Sequence, residues 1–299
     1  MLRAYEGPPR VIVGFDGSDD ATTALRYGVS EALARNASLV LLNAVDDTVL
    51  NSAWGVVFDP ESIRSAAADL LAAGVEEAVA AGMPRERVAT SIELGNPAAA
   101  LAVHSEAASL IVLGRRSVVS GERAFVGSTA VGVAGAAHCP VVVVSSLEPE
   151  RATRTGLIGV GVNTAAKGAV ALEWALQEAK RRGGKVVVMS VCKAPQGRFF
   201  LGGAPTPEQQ AEAVEVTRQR ITELVASVAA DHADVEIRIE VYYGSPLDIL
   251  VAHSAELDLL VVEAQAGFPT YSIGGVTRGL MTHARCPVGT IRSRDSHGS

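Results

Sequence analysis

Lysine is almost missing from this chain. Four occur in 299 residues (Lys167, Lys180, Lys185 and Lys193), and none lies in the first half, which excludes a lysine phosphate clamp or Schiff base there. Positive charge is short throughout: 26 Lys and Arg face 33 Asp and Glu, for a net charge of -7. That balance argues against a nucleic-acid binder, because affinity for a phosphate backbone comes from clustered basic side chains. Aromatic residues make up only 4% of the sequence, so Val, Ile, Leu and Ala must fill the core. Such a composition suits buried parallel strands and close-packed helices. Three cysteines, Cys139, Cys192 and Cys286, form no even set, and no C-x-x-C occurs. Neither a disulfide framework nor a zinc site is predicted. No apolar run reaches ~18 residues and no charged start precedes an apolar h-region, so a soluble, cytoplasmic protein is expected.

What the chain does have is a repeat. Gly95-Asn96-Pro97, His104-Ser105 and Leu110-Ile111-Val112-Leu113 return as Gly244-Ser245-Pro246, His253-Ser254 and Leu259-Leu260-Val261-Val262, 149 positions later. Ala137-His138-Cys139-Pro140-Val141 returns as Ala284-Arg285-Cys286-Pro287-Val288 at a spacing of 147, so the second copy has lost two residues between these points. Solenoid repeats run only ~20–50 residues; this is a duplicated domain, with copies expected at 1–147 and 155–294 and the charged stretch Glu148–Arg154 as linker. His138 beside Cys139 resembles a ligand pair, but Arg285 replaces it in the second copy, and no metal site is expected.

Within the first copy, apolar runs at Arg10–Phe15, Ser38–Val45, Arg87–Leu94, Leu110–Leu113 and Pro140–Ser145 read as strands. Between them, Asp19–Arg35, Pro60–Ala81, Pro97–Ala107 and Ser128–Ala136 read as helices, with Pro at a first turn and Gly at a stop. The second copy repeats this order from Leu157–Val162 to Val288–Ile291, with helices at Ala165–Arg182, within Pro207–Ala230, at Pro246–Ala255 and at Ser272–Ala284. Alternating strands and helices with right-handed crossovers give an α/β fold of two tandem, doubly wound, five-stranded parallel sheets. The apolar fifth strands, Val141–Ser145 and Val288–Ile291, would be sheet edges, which proteins normally cover.

Ligands of such sheets lie beyond the carboxyl ends of the strands, where strand order reverses. Asp16, after strand one, offers a carboxylate to ribose hydroxyls or base donors, or serves as a turn or N-cap residue. After strand four, Gly114-Arg115-Arg116-Ser117 and then Gly127-Ser128-Thr129 at a helix start offer backbone N–H groups and a helix dipole to an anion; a flexible loop with an ordinary cap has the same composition. His104 and His253, on the helix before strand four, are read as capping or packing residues. No catalytic triad, carboxylate pair or H-E-x-x-H run stands out. Gly159-Val160-Gly161 falls inside a strand and is not a dinucleotide turn. The segment Gln196–Pro207, with Phe199 and Phe200, is a long loop that could cover the second cleft, serve a partner or simply be flexible.

The segments VGFDGS (Val13–Ser18), GNPAAAL (Gly95–Leu101), LIVLGRRS…GS (Leu110–Ser128) and HCPVVVV (His138–Val144) resemble the universal stress protein family across essentially the whole chain, as a tandem pair. The resemblance implies a Rossmann-like fold of the adenine nucleotide alpha-hydrolase-like kind, with the two copies packed as an intrachain pseudo-dimer and a homodimer as a further option. The family pattern G-x2-G-x9-G-[ST] binds ATP in many members. By this resemblance Asp16 would bond the adenosine portion and the backbone around Ala44 would line the adenine pocket. Leu113 and Gly114 would begin the phosphate loop, and Gly127, Ser128 and Thr129 would cradle the phosphates, with Mg2+ as companion ion. Ser117 stands where the pattern has its second Gly, a strain of ~1 kcal/mol or more if the backbone there needs φ > 0. Arg115 and Arg116 either pair with phosphates in compensation or are solvated loop charges. In the second copy Asn163, Glu263 and Ala266 replace Asp16, Gly114 and Ser117, and Gly274-Gly275 replaces Gly127-Ser128, so no nucleotide is expected there. The implied function is a nucleotide-binding stress or signalling module, not an enzyme, whose ordered loop is read by an unidentified partner. Its rivals are a non-nucleotide interaction protein of the same fold and a slow ATPase.

Overall fold

The computed structural model describes residues 9–45, 60–116, 126–146, 155–163, 168–192, 205–264 and 273–292. Ser117, Ala266, the expected linker and positions 196–204 lie outside the described residues.

In the first copy, β1 (Arg10–Gly14), β2 (Ser38–Val45), β3 (Val88–Leu94), β4 (Leu110–Gly114) and β5 (Val141–Val144) alternate with α1 (Asp19–Ala34), α2 (Pro60–Ala80), α3 (Pro97–His104) and α4 (Ser128–Ala136). The strands are all parallel, in the order β3-β2-β1-β4-β5. Continuous aliphatic runs suit strands covered on both faces. Val11–Val13, Leu110–Leu113 and Val141–Val144 are all buried. Helices α1 and α2 cover one face, while α3 and α4 pack on each other against the opposite face. Helix α1 buries Ala24, Leu25, Gly28, Val29 and Ala32. Leu33, which shares the apolar spacing, lies on the margin of that stripe and is 42% exposed.

The second copy repeats the scheme with β6 (Leu157–Gly161), β7 (Lys185–Cys192), β8 (Ile237–Tyr243), β9 (Leu259–Glu263) and β10 (Val288–Ile291). Its helices are α5 (Ala169–Arg182), α6 (Pro207–Val228), α7 (Pro246–Ser254) and α8 (Gly275–His283). These strands are also parallel, in the order β8-β7-β6-β9-β10. Helix α6 starts on a capping box: Thr206 and Gln209 each accept the other's backbone N–H through a side-chain oxygen. Gly159 and Gly161 do lie inside β6; a Cβ at Gly159 would sit 2.3 Å from Leu257 Cδ1.

The repeated Gly-x-Pro signature is a strand-to-helix turn. Gly95 and Gly244 have φ of +116° and +147°, a region that disfavours any side chain. Asn96 then caps α3 by accepting the Ala99 N–H at 3.0 Å, and the Pro that follows sits in the first turn of each helix.

Candidate functional site

Strands β1 and β4 are neighbours, yet the chain leaves β1 toward β2 and β3 on one side before crossing to β4 and β5 on the other. The carboxyl ends of β1 and β4 therefore flank the point where strand order reverses.

At the end of β1, Phe15 donates its N–H to Leu42 O at 2.9 Å. Its own carbonyl accepts the Asn43 Nδ2 amide at 2.8 Å. Asn43 is buried, so this anchor fixes the chain one residue before Asp16. Asp16 Oδ1 accepts from Ser18 N at 3.1 Å and from Ser18 Oγ at 2.7 Å. This is the turn chemistry of an Asp that closes on its own backbone. Asp16 is half-buried. Ser18 Oγ in turn accepts the Ala21 N–H at 3.1 Å and caps α1. Ala44 lies one strand away on β2, half-buried and in register with Glu93 of β3.

At the end of β4, Leu113 is buried. Gly114 has a packing reason of its own: a Cβ there would come within 2.7 Å of Asp20 C and 2.9 Å of Ala21 N. The first turn of α1 and the end of β4 thus meet at backbone distance. Arg115 donates its N–H to Val144 O at 2.7 Å, and its carbonyl accepts the Gly127 N–H at 2.8 Å. That second bond clasps the two feet of the segment between strand four and α4. The solvated alternative for the two arginines does not hold. Arg115 is buried. Arg116 is half-buried and bound to Asp20, through its backbone N at 3.0 Å, Nε at 3.2 Å and Nη2 at 3.3 Å.

Asp20 is the residue that sequence reasoning missed. It is 2% exposed and also accepts Ser146 N at 2.8 Å and Ser146 Oγ at 2.5 Å. Burial by itself would raise its carboxyl, but the bonds from Arg116 and Ser146 outweigh that effect and hold it below the ordinary 3.8. The only sequence signal was an Asp pair in a helix first turn, which also reads as plain dipole complementation.

Helix α4 opens without a capping side chain. Gly127 is its N-cap, and Val131 N–H returns to Gly127 O at 3.2 Å. The N–H groups of Ser128, Thr129 and Ala130 therefore head the positive end of the helix dipole with no side-chain cap. Ser18 Oγ reaches Arg116 O at 3.4 Å. The structure thus brings together the Asp16–Ser18 turn, Arg115-Arg116 and the start of α4, with Ala44 on the flank.

The sequence profile of the universal stress protein family matches residues 8–145 and again residues 156–292. The chain belongs to the universal stress protein family. It is 27% identical over 283 residues to a universal stress protein of Mycobacterium tuberculosis, a match covering 94% of this chain and 96% of that one. A universal stress protein of Mycolicibacterium smegmatis is 25% identical over 292 residues, covering 95% of this chain and 97% of its own length. The crystal structure of a universal stress protein from Archaeoglobus fulgidus superimposes with a TM-score of 0.69 at 16% identity, covering 95% and 98% of the two chains. That likeness bears on the fold.

The second copy of this universal stress protein builds the corresponding region differently. Half-buried Glu263 ends β9 where Gly114 ends β4, and its carbonyl accepts from Thr277 Oγ1 at 3.5 Å. Helix α8 then begins at Gly275, after Gly274.

The recurring His-Ser pair is a packing device. Ser105 and Ser254 are 1% and 0% exposed. Ser105 Oγ donates to Ala102 O and accepts the His138 N–H at 2.8 Å. Ser254 Oγ donates to Val251 O at 2.7 Å and accepts the Arg285 N–H at 2.9 Å. The histidines differ: His104 Nε2 meets Glu93 Oε1 at 2.8 Å, whereas the His253 ring lies 4.9 Å from that of Tyr242, which occupies the position of Glu93. Ser91 and then His104 hold the Glu93 carboxyl below its ordinary value. Cys139 and Cys286 are buried, and burial pushes the Cys139 thiol up to about 12. Among the described residues no group of three His, Cys, Asp or Glu could hold a metal ion, and no helix is long and apolar enough to cross a membrane.

Proposed function

We propose that the first copy of this universal stress protein binds an adenine nucleotide, ATP by preference, and acts as a cytoplasmic stress or signalling module rather than an enzyme. One observation carries the reading: the uncapped start of α4 stands beside the Asp16 turn and Arg116 at the carboxyl ends of adjacent strands. Backbone N–H groups at a helix start are a ready anion site. In this reading Gly127, Ser128 and Thr129 hold the phosphates, Asp16 bonds the adenosine portion and the Ala44 backbone lines the base. Leu113, Gly114 and Ser117 belong to the approach, and Mg2+ accompanies the phosphates. The second copy takes no nucleotide, for two reasons: the Glu263 carboxylate beside a triphosphate costs several kcal/mol by like-charge repulsion, and the stretch from there to the next helix is two residues shorter than in the first copy.

A second reading, a non-nucleotide interaction protein, draws support from two donors that are already engaged: the Gly127 N–H is given to Arg115 O and the Arg116 guanidinium to Asp20. To decide, the protein is purified without added nucleotide and denatured, and the released nucleotides are quantified by chromatography and mass spectrometry. About one ATP per chain supports the first-copy site. Two per chain overturns the account of Glu263. None, with a failed ATP titration, moves the conclusion to the interaction protein.

A further inference from the structure

We propose that the Arg116 guanidinium is an exchangeable ligand of Asp20: a nucleotide phosphate draws it off the buried carboxylate, which Ser146 and the Arg116 backbone continue to hold. The inference rests on the nucleotide reading above and adds to it how the site responds to its ligand.

Asp20 is provided with five hydrogen bonds, and only two come from the guanidinium. If the side chain leaves, three donors stay: Arg116 N at 3.0 Å, Ser146 N at 2.8 Å and Ser146 Oγ at 2.5 Å. A buried carboxylate stripped of all its partners would be prohibitive, whereas one that keeps three is not. The guanidinium bonds are also the long ones of the set, at 3.2 and 3.3 Å, where charge-assisted bonds prefer about 2.7–2.9 Å. The Arg116 side chain keeps 17% of its surface exposed against 2% for Asp20, so the cation is the partner with a route out.

Its backbone carbonyl faces Ser18 Oγ of the Asp16 turn, and the preceding carbonyl is bonded to Gly127 at the head of α4. The backbone that carries this side chain is thus tethered between the two groups assigned to the nucleotide. A triphosphate offers it a denser negative charge and bidentate geometry, which Arg prefers. When it moves, Asp20 rests more heavily on Ser146, where the first copy runs out toward the connection to the second. Occupation of the site and the hold on that residue then become linked.

The test is a four-protein cycle of ATP affinity by isothermal titration: wild type, Asp20→Asn, Arg116→Gln and the double variant. Asp20→Asn removes the competing charge with little change of shape. It is expected to tighten ATP binding about five- to tenfold and to steepen its salt dependence. Arg116→Gln is expected to weaken binding and to abolish the gain from Asp20→Asn. Should Asp20→Asn fail to fold by circular dichroism, Asp20→Ser removes the same charge. Wild-type binding with no gain in the Asp20 variant, or the same gain with and without Arg116, overturns the exchange and leaves the nucleotide reading standing. Failure of all four proteins to bind overturns both. Binding by Asp20→Asn alone upholds the exchange and identifies Asp20 as the block.

Discussion

Both copies carry His-Ser at matching positions, and the structure gives the two residues very different weight. Replacing Ser105 with Ala removes the acceptor for His138 N–H and the donor to Ala102 O inside a site that is 1% exposed. A lost hydrogen bond that strands its partners costs about 1–3 kcal/mol. Replacing His104 with Ala removes a contact to Glu93 whose partners are 34% and 35% exposed, and such a pair is worth about 0–1 kcal/mol. Urea denaturation of both variants should therefore shift the midpoint of Ser105→Ala down by about half to one molar, with His104→Ala close to wild type. The same order should hold in the second copy, because Ser254 is 0% exposed and spans the same junction, to Arg285. If His104→Ala and His253→Ala cost as much as the serine variants, the assignment of the repeat to the hydroxyl is wrong.

Gly114→Ala places a Cβ 2.7 Å from Asp20 C, where backbone must move; destabilisation of about 1–3 kcal/mol is expected, read as a lower thermal midpoint. Cys139 should resist thiol reagents at neutral pH until urea unfolds the chain, since its thiol is buried and pushed up to about 12, while half-buried Cys192 reacts first; labelling followed by peptide mass analysis decides. Asp20 has a depressed carboxyl, so its stabilisation is complete above the unfolded value of 3.8 and is lost as pH falls through the lower folded value. Asp20→Asn should be less stable than wild type at neutral pH and should lose less stability on acidification below 3.8; parallel acid-unfolding curves would contradict this. Glu263→Gly should confer no ATP binding on the second copy, and a second nucleotide per chain in that variant would show the carboxylate to be the sole obstacle.

The fold was legible because its signals are local. Short β-branched runs such as Val141–Val144 suit strands covered on both faces, and Asn96-Pro97 or Thr206-Pro207 mark helix starts by cap chemistry. Residues Asp16, Gly114 and Gly127–Thr129 were legible as a candidate site because their order along the strands places them at one end of the sheet. Asp20 was not. Asp19 and Asp20 look alike in sequence, and only contacts to residues 96 and 126 positions away separate the exposed one from the buried one. The His-Ser pair shows the same limit: the repeat marks both residues, while the hydroxyl bond that gives the serine its role crosses 33 positions.

The two copies differ at contacts of the same long reach. Gly114 and the first turn of α1 share backbone contact, so a side chain at this point of β4 is compatible only with a different helix start. In the second copy Glu263 supplies a long side chain there, and Gly168, matching Ala21 of α1, has φ of +123° and stands outside the helix, which begins only at Ala169. The Asp20–Arg116 pair goes with it, for Lys167 and Gln265 occupy the matching positions and cannot form that ion pair. Glycine, helix start, carboxylate and arginine therefore all differ between the copies. The buried serines, the cysteines and the Gly-x-Pro turns are common to both copies, whereas these four features differ as a set joined by the contact between the end of β4 and the start of α1. That set lies at the carboxyl ends of β1 and β4.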